Sequence, residues 1–572
     1  MSVKRTTQNN VRPAGAWHAQ FSAAAVLLGI GWLAAWFYGL AGRALAEPDE
    51  GRYAEVAHEM FTSGDWITPR LDGFNFFDKP PLHYWASATA YALFGAHPWS
   101  ARLWCVLTGL LAIVAIGWAG ARLFGREAGG YAAAILGSSL LFVFAAHINT
   151  LDIGVAAFLA VGMACFLVAQ FDPTALHLRA RLNLLMWAAL ALAVLSKGLI
   201  GVVLPGLILG LYMLWQRDWG VLRRVSLVPG VLMLLVLCAP WFILICRLHP
   251  DFFEYFFIRE HFTRFLTSAD GRSKVFGFFL PVVLLGLFPW TLLLPWSKTG
   301  WRAIGAGGPA QRFLLVWVGV VFVFFSVSHS QLPFYILPVF PALALLLGRA
   351  ATVLSLQALV RRFWWVATLT TLGAATATAI ALAARTAIPK AVLEDVLSGL
   401  SLALVLMALA AMVGAWALHR GRRRTAIHGL ALATLIGWQL TLVSSQPLND
   451  MRSAAPVARL IQPELGPHTE IFTVHAYLRA LPFYLGRPVT VVDQDSDDLV
   501  PGLASRPHGY IADLATFEQR WRASHDAIAL VADDLVGQLR SEGLPFRELG
   551  REATGVIITR HETALPPLRA TP

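Results

Sequence analysis

Residues 21–41 read FSAAAVLLGIGWLAAWFYGLA, a run without charge that is long enough to cross the roughly 30 Å hydrocarbon core of a bilayer. It lacks the small-residue cleavage end of a removable signal peptide, so we interpret it as a retained first transmembrane helix. Similar runs recur along the chain, in which 57% of the 572 residues are hydrophobic and only 14% are charged. This composition excludes an ordinary globular protein, because most of the surface must face lipid.

Thirteen apolar runs are long enough to span, and they predict an all-α polytopic membrane protein with about thirteen transmembrane helices. They lie near residues 21–41, 100–121, 130–147, 152–170, 182–197, 199–215, 227–247, 275–296, 313–328, 334–349, 363–384, 397–418 and 425–444. Nearly every second connecting loop contains Arg or Lys, as cytoplasmic loops do. We therefore expect residues 1–20 in the cytoplasm and the carboxyl terminus on the opposite side of an inner membrane.

Two parts of the chain stand out from the membrane domain predicted at 21–445. The first loop (42–99) and the second loop (248–274) are long and charged, although both fall on the extracytoplasmic side. Beyond them, residues 446–572 are predicted to form an α/β domain, with β-branched runs at 471–474, 489–492, 510–512, 528–531 and 556–559. The pI near 9.8 comes from short loops between helices, so we expect no nucleic-acid partner.

The densest polar segment of the first loop is EPDEGRY at residues 47–53. Asp49 precedes an amphipathic helix whose polar side carries Glu55 and Glu59, and this pattern is typical of a helix at the membrane interface. An aspartate at a helix start is often a simple N-cap. Because Glu47, Glu50 and Arg52 crowd it with more charge than a cap requires, a catalytic acid is the alternative.

The same loop continues with NFFDKPP at residues 75–81, after which residues 82–94 are predicted to form a second helix. The two prolines stiffen the backbone behind Asp78 and Lys79. Lys79 is suited to bind a phosphate group as a compact cation, while an interfacial anchor is the other interpretation.

Polar residues elsewhere fall at the same membrane face. Asp152 begins a helix after a short loop, either as a cap or as a second acid. In the second loop, Arg264 could bind a lipid phosphate or pair with Glu260 four residues earlier. His261 could accept a proton or bind a metal, and Tyr335 could donate to a phosphate or belong to the interfacial aromatic belt.

Together these segments resemble the lipid A aminoarabinose transferases, which belong to the GT-C membrane glycosyltransferases along with the protein O-mannosyltransferases. The resemblance covers about residues 20–445 and is weakest in the carboxyl-terminal domain. The matching segments are EPDEGRYAE at 47–55, SGDWI at 63–67, DKPP at 78–81, SKG at 196–198, YFFIREHFTRF at 255–265 and LPFY at 332–335.

The resemblance implies a GT-C fold, an undecaprenyl-phosphate sugar as donor and inversion at the anomeric carbon. It implies the following roles: Asp49 and Asp152 as catalytic acids, and Arg52, Tyr53, Lys79, Arg264 and Tyr335 as substrate-binding residues. No cofactor is required by this pattern. A divalent metal ion stays an open alternative, with Asp78 and His261 as its candidate ligands.

We therefore expect a monomeric glycosyltransferase that moves a sugar, 4-amino-4-deoxy-L-arabinose by resemblance, from undecaprenyl phosphate to lipid A or another envelope lipid. Two alternatives remain at this point. One is a GT-C transferase with another lipid or protein Ser/Thr as acceptor, and the other is a lipid or solute transporter. A transporter should carry ionisable residues at mid-helix, whereas here they cluster at one membrane face.

Overall fold

The computed structural model describes residues 23–263, 274–275, 277–294, 308–383, 386, 388–494, 499, 502–503, 506 and 509–560. Before the second loop the α-helices are α1 (Ala23–Phe37), α2 (Asp49–Ser63), α3 (Leu82–Phe94), α4 (Pro98–Phe124), α5 (Arg126–Leu136), α6 (Leu140–Ala146), α7 (Leu151–Phe171), α8 (Arg179–Lys197), α9 (Ile200–Gln216), α10 (Val221–Arg224) and α11 (Leu227–Leu248). A π-helix follows at Glu254–Thr263.

After the second loop come α12 (Phe279–Gly286), α13 (Pro309–Val327), α14 (Phe340–Val353), α15 (Leu356–Ala383), α16 (Lys390–His419) and α17 (Arg423–Ser444). The remaining helices are α18 (Gln446–Asp450), α19 (Ala454–Ile461), α20 (Leu481–Leu485), α21 (Leu514–Ala523) and α22 (Asp533–Ser541). Short 3₁₀ segments lie at Pro173–Leu178, Trp290–Leu293, Pro333–Val339 and Gln462–Glu464.

Within the described ranges, nine helices are long and apolar enough to cross a membrane, or ten if α5 and α6 form one bent span. The chain is thus a multi-pass membrane protein, and the described ranges also contain two shorter apolar helices, Val26–Phe37 and Ile200–Gln216, within the expected runs 21–41 and 199–215. The run at 130–147 is broken between α5 and α6, which meet at 66°. There the hydroxyls of Ser138 and Ser139 donate to backbone carbonyls four residues earlier at 2.6 Å and so compete with helical bonding.

The run expected at 275–296 is also interrupted. Its α-helix α12 has only eight residues, and Pro289 precedes the 3₁₀ turn Trp290–Leu293. Proline removes a backbone donor and clashes with a preceding carbonyl, so it does not continue a helix. By contrast, α7 is a continuous span with most of its side chains buried, and it packs against α4 and α8 at the centre of the bundle.

The carboxyl-terminal region has a six-stranded sheet in the order β5-β4-β3-β6-β8-β7. Its strands are β3 (Glu470–Val474), β4 (Thr490–Val492), β5 (Tyr510–Ile511), β6 (Ala527–Val531), β7 (Arg547–Glu552) and β8 (Gly555–Thr559). β3 to β6 pair in parallel, while β8 and β7 add antiparallel strands. All five predicted strands are present, and β7 was not predicted because it is a polar edge strand.

The first loop does not lie open at the surface. With α2, α3 and the hairpin β1 (Arg70–Leu71) and β2 (Phe74–Asn75), it shares one apolar core with the α/β domain. The polar side predicted for α2 is covered in part, because Glu55 is only 2% exposed. The boundary at 445/446 between the two domains stays a prediction.

Candidate active site

The site begins at the amino terminus of α2. Asp49 and Glu50 fall in its first turn, where carboxylates are favoured by the helix dipole. The N-cap position is taken by Pro48 without a side-chain cap bond, so the interpretation of Asp49 as a cap is wrong. Its carboxylate is 53% exposed and lies 3.6 Å from the guanidinium of Arg52. Asp49 is therefore accessible to a substrate.

Glu50 has a structural position beside that acid. Its carboxylate is 3% exposed and accepts two hydrogen bonds from Arg102 on α4, at 2.6 and 2.8 Å. It also accepts the backbone N–H of Asn149 at 2.8 Å. Burial raises the pKa of Glu50, but the charges of Arg102 and Arg43 outweigh it and bring this pKa below its ordinary value. The start of α2 is thereby fixed to α4 and to the loop before α7.

Tyr53 lies between the two predicted acids. Its ring meets that of His83 edge-on, with centroids 5.9 Å apart. Burial raises the pKa of Tyr53 well above its ordinary value, and the negative charges of Asp49 and Asp152 raise it further. Both carboxylates therefore lie within electrostatic reach of the Tyr53 phenol, which stays neutral.

Asp152 is not the cap of its helix either. Thr150 occupies that position and accepts from the Asp152 N–H at 3.5 Å. The Asp152 carboxylate instead accepts a hydrogen bond from Lys197, the last residue of α8. The Lys197 ammonium also lies 4.2 Å from the ring centroid of Tyr335, a distance typical of a cation–π contact.

A second lysine among the predicted and observed site residues is Lys79. Lys79 Nζ contacts Glu260 Oε2 at 2.8 Å and the carbonyl of Asp78 at 2.8 Å. The Asp78 carboxylate accepts from Tyr255 Oη at 2.6 Å. Burial raises the pKa of Asp78, while attraction to Lys79 lowers it in part. The charge of Arg52, which pairs with Asp49, also lowers the pKa of Asp78, so the two groups of residues are electrostatic neighbours.

The structure thus brings together most of the predicted site residues: Asp49, Arg52, Tyr53, Asp78, Lys79, Asp152 and Tyr335. Arg264 lies outside the described residues. His261 is in the π-helix, but its side chain lies outside the description. Their roles, like those of the other site residues, stay predictions.

Three contributors were not predicted as site residues. Lys197 belongs to the matching segment SKG at 196–198 and has no predicted role. A lysine at the end of an apolar run is nevertheless a sequence signal for a functional residue. For Glu260 the sequence pattern indicates only a pairing with Arg264, and the structure shows a contact with Lys79. No signal in the sequence connected Tyr255 to Asp78, because 177 positions separate them.

The part of the chain that the structure describes contains no set of side chains that would bind a divalent metal ion. Within it, no group of three or more His, Cys, Asp and Glu side chains could bind a metal ion. One oxygen of the candidate ligand Asp78 is already bonded to Tyr255. A divalent metal therefore stays a prediction, and the chemistry below is derived from side chains alone.

Family matches agree with this architecture at both ends of the chain. Residues 78–244 match the model of dolichyl-phosphate-mannose-protein mannosyltransferases, and residues 457–560 match the aminoarabinose transferase C-terminal domain. The helical bundle, with its charged first loop folded against the α/β domain, has the GT-C fold of membrane glycosyltransferases.

The crystal structure of ArnT from Cupriavidus metallidurans bound to undecaprenyl phosphate is similar throughout. It has a TM-score of 0.89 and 33% identity, and the match covers 95% of this chain and 99% of that chain. The chain belongs to the aminoarabinose transferase (ArnT) family.

Curated relatives are similar over a shorter stretch. The undecaprenyl phosphate-alpha-4-amino-4-deoxy-L-arabinose arabinosyl transferase of Aeromonas salmonicida is 35% identical over 313 residues, which are 54% of this chain and 56% of that protein. A transferase of the same description from Sodalis glossinidius is 35% identical over 327 residues, or 56% of this chain and 58% of that protein. The matches thus span little more than half the length of these relatives.

Proposed function

We propose that the chain transfers 4-amino-4-deoxy-L-arabinose from undecaprenyl phosphate to lipid A at the periplasmic face of the inner membrane. The observation that carries the proposal is the full-length similarity to a relative bound to undecaprenyl phosphate. The names of the curated relatives support the sugar. The alternation of basic loops supports the orientation.

In this reaction a bond forms between the anomeric carbon and an acceptor oxygen, while the bond to the donor phosphate oxygen breaks. Undecaprenyl phosphate leaves and takes the bonding electrons, so negative charge grows on its phosphate. Lys79 and Lys197 are each 15% exposed. Positioned cations stabilise such growing charge without rearrangement during the reaction. Arg264 is proposed as a third contact to this phosphate.

Asp49 is assigned to the acceptor side. If the acceptor is a lipid A phosphate, it is already anionic, and Asp49 would orient it or stabilise positive charge on the sugar. If the acceptor is a hydroxyl, Asp49 would take its proton as a general base. Its exposure and the absence of a cap bond agree with either role. Asp152 is tied to Lys197 and is assigned to the donor side.

The test is mass spectrometry of lipid A from cells that lack the gene and carry either the original protein or Asp49→Asn. We expect lipid A with an added aminoarabinose only with the original protein, at equal abundance of both proteins in the membrane. Lys390→Gln is a matched control, because Lys390 pairs with Glu394 on an exposed helix start. Unmodified lipid A together with another glycosylated lipid or protein would identify a different acceptor. An undiminished product from Asp49→Asn would contradict the catalytic assignment.

A further inference from the structure

A carboxylate two positions before Asp49 joins the membrane domain to the α/β domain. Glu47 Oε1 accepts a hydrogen bond from the backbone N–H of Ala480 at 2.7 Å, across 433 positions of sequence. The backbone N–H of Glu47 donates to the carbonyl of Arg452 at 2.9 Å. Both partners come after α17, so the side chain and the backbone of Glu47 bind the same distant part of the chain.

The space around this contact is filled. A Cβ added to Gly51, one turn into α2, would lie 2.6 Å from Glu47 Oε1 and 2.9 Å from Cβ of Ala480. Both distances are shorter than any unstrained contact. Only glycine at position 51 therefore allows the first turn of α2 to pack this closely against Ala480. The close packing makes the position of the start of α2 depend on that of the loop after β3.

The charges around Glu47 come from both domains. Burial raises the pKa of its carboxyl group to about 7, while the Ala480 N–H and the charges of Arg479 and Arg52 act in the opposite direction. Tyr477 of the α/β domain also faces this charge. Oε2 of Glu47 is buried as well, and the backbone N–H of Arg479 in the α/β domain also acts on this carboxyl group. The carboxyl group is therefore turned toward the domain interface rather than toward a substrate.

We propose that Glu47 is a positioning residue, through which the α/β domain sets the start of α2 and hence the location of Asp49. The proposal rests on the proposed transferase function. Asp49 lies in the first turn of α2 and pairs with Arg52 of the same helix at 3.6 Å. Its location follows from the helix start, which Glu50 joins to α4 on one side and Glu47 joins to Ala480 on the other.

Three variants separate the hydrogen bond from the charge. Glu47→Ala removes the acceptor, and Ala480→Pro removes the donor from the other domain, at a backbone φ of −85° that proline can adopt. Glu47→Gln keeps an acceptor oxygen without the charge. With undecaprenyl-phosphate aminoarabinose and lipid A as substrates, we expect the first two to lower kcat at least tenfold, with donor KM changed less than threefold. Glu47→Gln should stay within threefold of the original kcat.

The double variant Glu47→Ala/Ala480→Pro gives an independent readout. If both changes break the same contact, the kcat of the double variant should be no lower than the kcat of the less active single variant. Glu59→Ala is the matched control, because Glu59 is on the same helix and accepts from the Gly73 N–H at 2.6 Å, far from the helix start. We expect it to lower thermal stability and leave kcat within threefold.

The outcomes are distinct. An inactive Asp49→Asn with a fully active, folded Glu47→Ala or Ala480→Pro would overturn the positioning role alone. Full activity of Asp49→Asn would instead remove the site assignment on which the proposal rests. A Glu47→Gln protein as defective as Glu47→Ala would also overturn it, because the hydrogen bond from Ala480 would then not be the property that matters.

Discussion

Lys79 Nζ lies 2.8 Å from Glu260 Oε2, although the two residues are 181 positions apart. The lysine is 15% exposed and the glutamate 10%, so the pair is shielded from solvent and its attraction is stronger than on a surface. A donor phosphate that reaches this lysine has to compete with the carboxylate. We therefore expect the pair to set the affinity for the proposed donor.

We expect Glu260→Gln to lower the donor KM by about two- to fivefold, since the amide keeps a hydrogen-bond acceptor but no longer neutralises the lysine. Lys79→Met should raise the donor KM at least tenfold, or ~1.4 kcal/mol. Steady-state kinetics at varied donor concentration measures both changes. Equal KM values for the two variants would contradict the competition.

A second prediction concerns Lys197, which contacts both Asp152 and the ring of Tyr335. Lys197→Met should lower kcat by about a hundredfold, because the growing charge of the leaving phosphate loses a positioned cation. Lys197→Arg should restore little, since a planar guanidinium does not replace a compact ammonium in a close contact. Single-turnover rates with saturating donor would measure this. A near-normal rate in Lys197→Met would exclude Lys197 from the chemistry.

The buried pair of Glu50 and Arg102 predicts a large effect on stability. Arg102 is fully buried and Glu50 is 3% exposed, so removal of either partner leaves an uncompensated charge. We expect Arg102→Met to lower the free energy of unfolding by about 3–5 kcal/mol. Thermal unfolding of the purified protein in detergent, together with its abundance in membranes, measures this. Arg424→Met is a suitable control, because the pair of Arg424 and Glu127 is exposed.

Glu47 also predicts a dependence of stability on pH. Its pKa is raised from 4.5 to about 7 in the folded protein. The unfolded chain thus releases this proton first, and the stability contributed by the protonated group falls as pH rises from about 4.5 to about 7. The slope is ~1.4 kcal/mol per pH unit within that window.

Unfolding of the original protein and Glu47→Gln between pH 4.5 and 8 provides the measurement. As pH rises through the window, the original protein should lose roughly 3 kcal/mol of unfolding free energy relative to Glu47→Gln. Above the window the difference between the two proteins should stay constant. Glu59→Gln offers a comparison, because burial raises the pKa of Glu59 as well. A pH-independent difference between the original protein and Glu47→Gln would contradict the assignment.

Local patterns in the sequence predicted much of the fold. The helices α2 and α3 and five strands lie where periodicity and proline placement put them, because these signals act over a few residues. Two of the expected runs are interrupted in the described part of the chain, because Ser138 and Pro289 lie in segments that are apolar by composition alone. β7 lacked an apolar pattern because it lies at the sheet edge.

The site was predictable in part for the same reason. Asp49, Lys79 and Asp152 stood out as charges at one membrane face, and the structure gathers them. The contacts between distant residues were not predictable in this way. The pair of Lys79 and Glu260 and the contact of Glu47 with Ala480 depend on how distant elements pack. Periodicity carries no information about such pairings.

The core shared by the first loop and the α/β domain has a consequence for biosynthesis. The loop ends at residue 99, whereas β8, which supplies part of that core, begins only at Gly555. At about 5–20 residues per second, a ribosome needs roughly 20–90 s to make the intervening chain. During that time α2 emerges without its cover, so the apolar side of the unfinished loop is exposed to proteases and chaperones until β8 has been made.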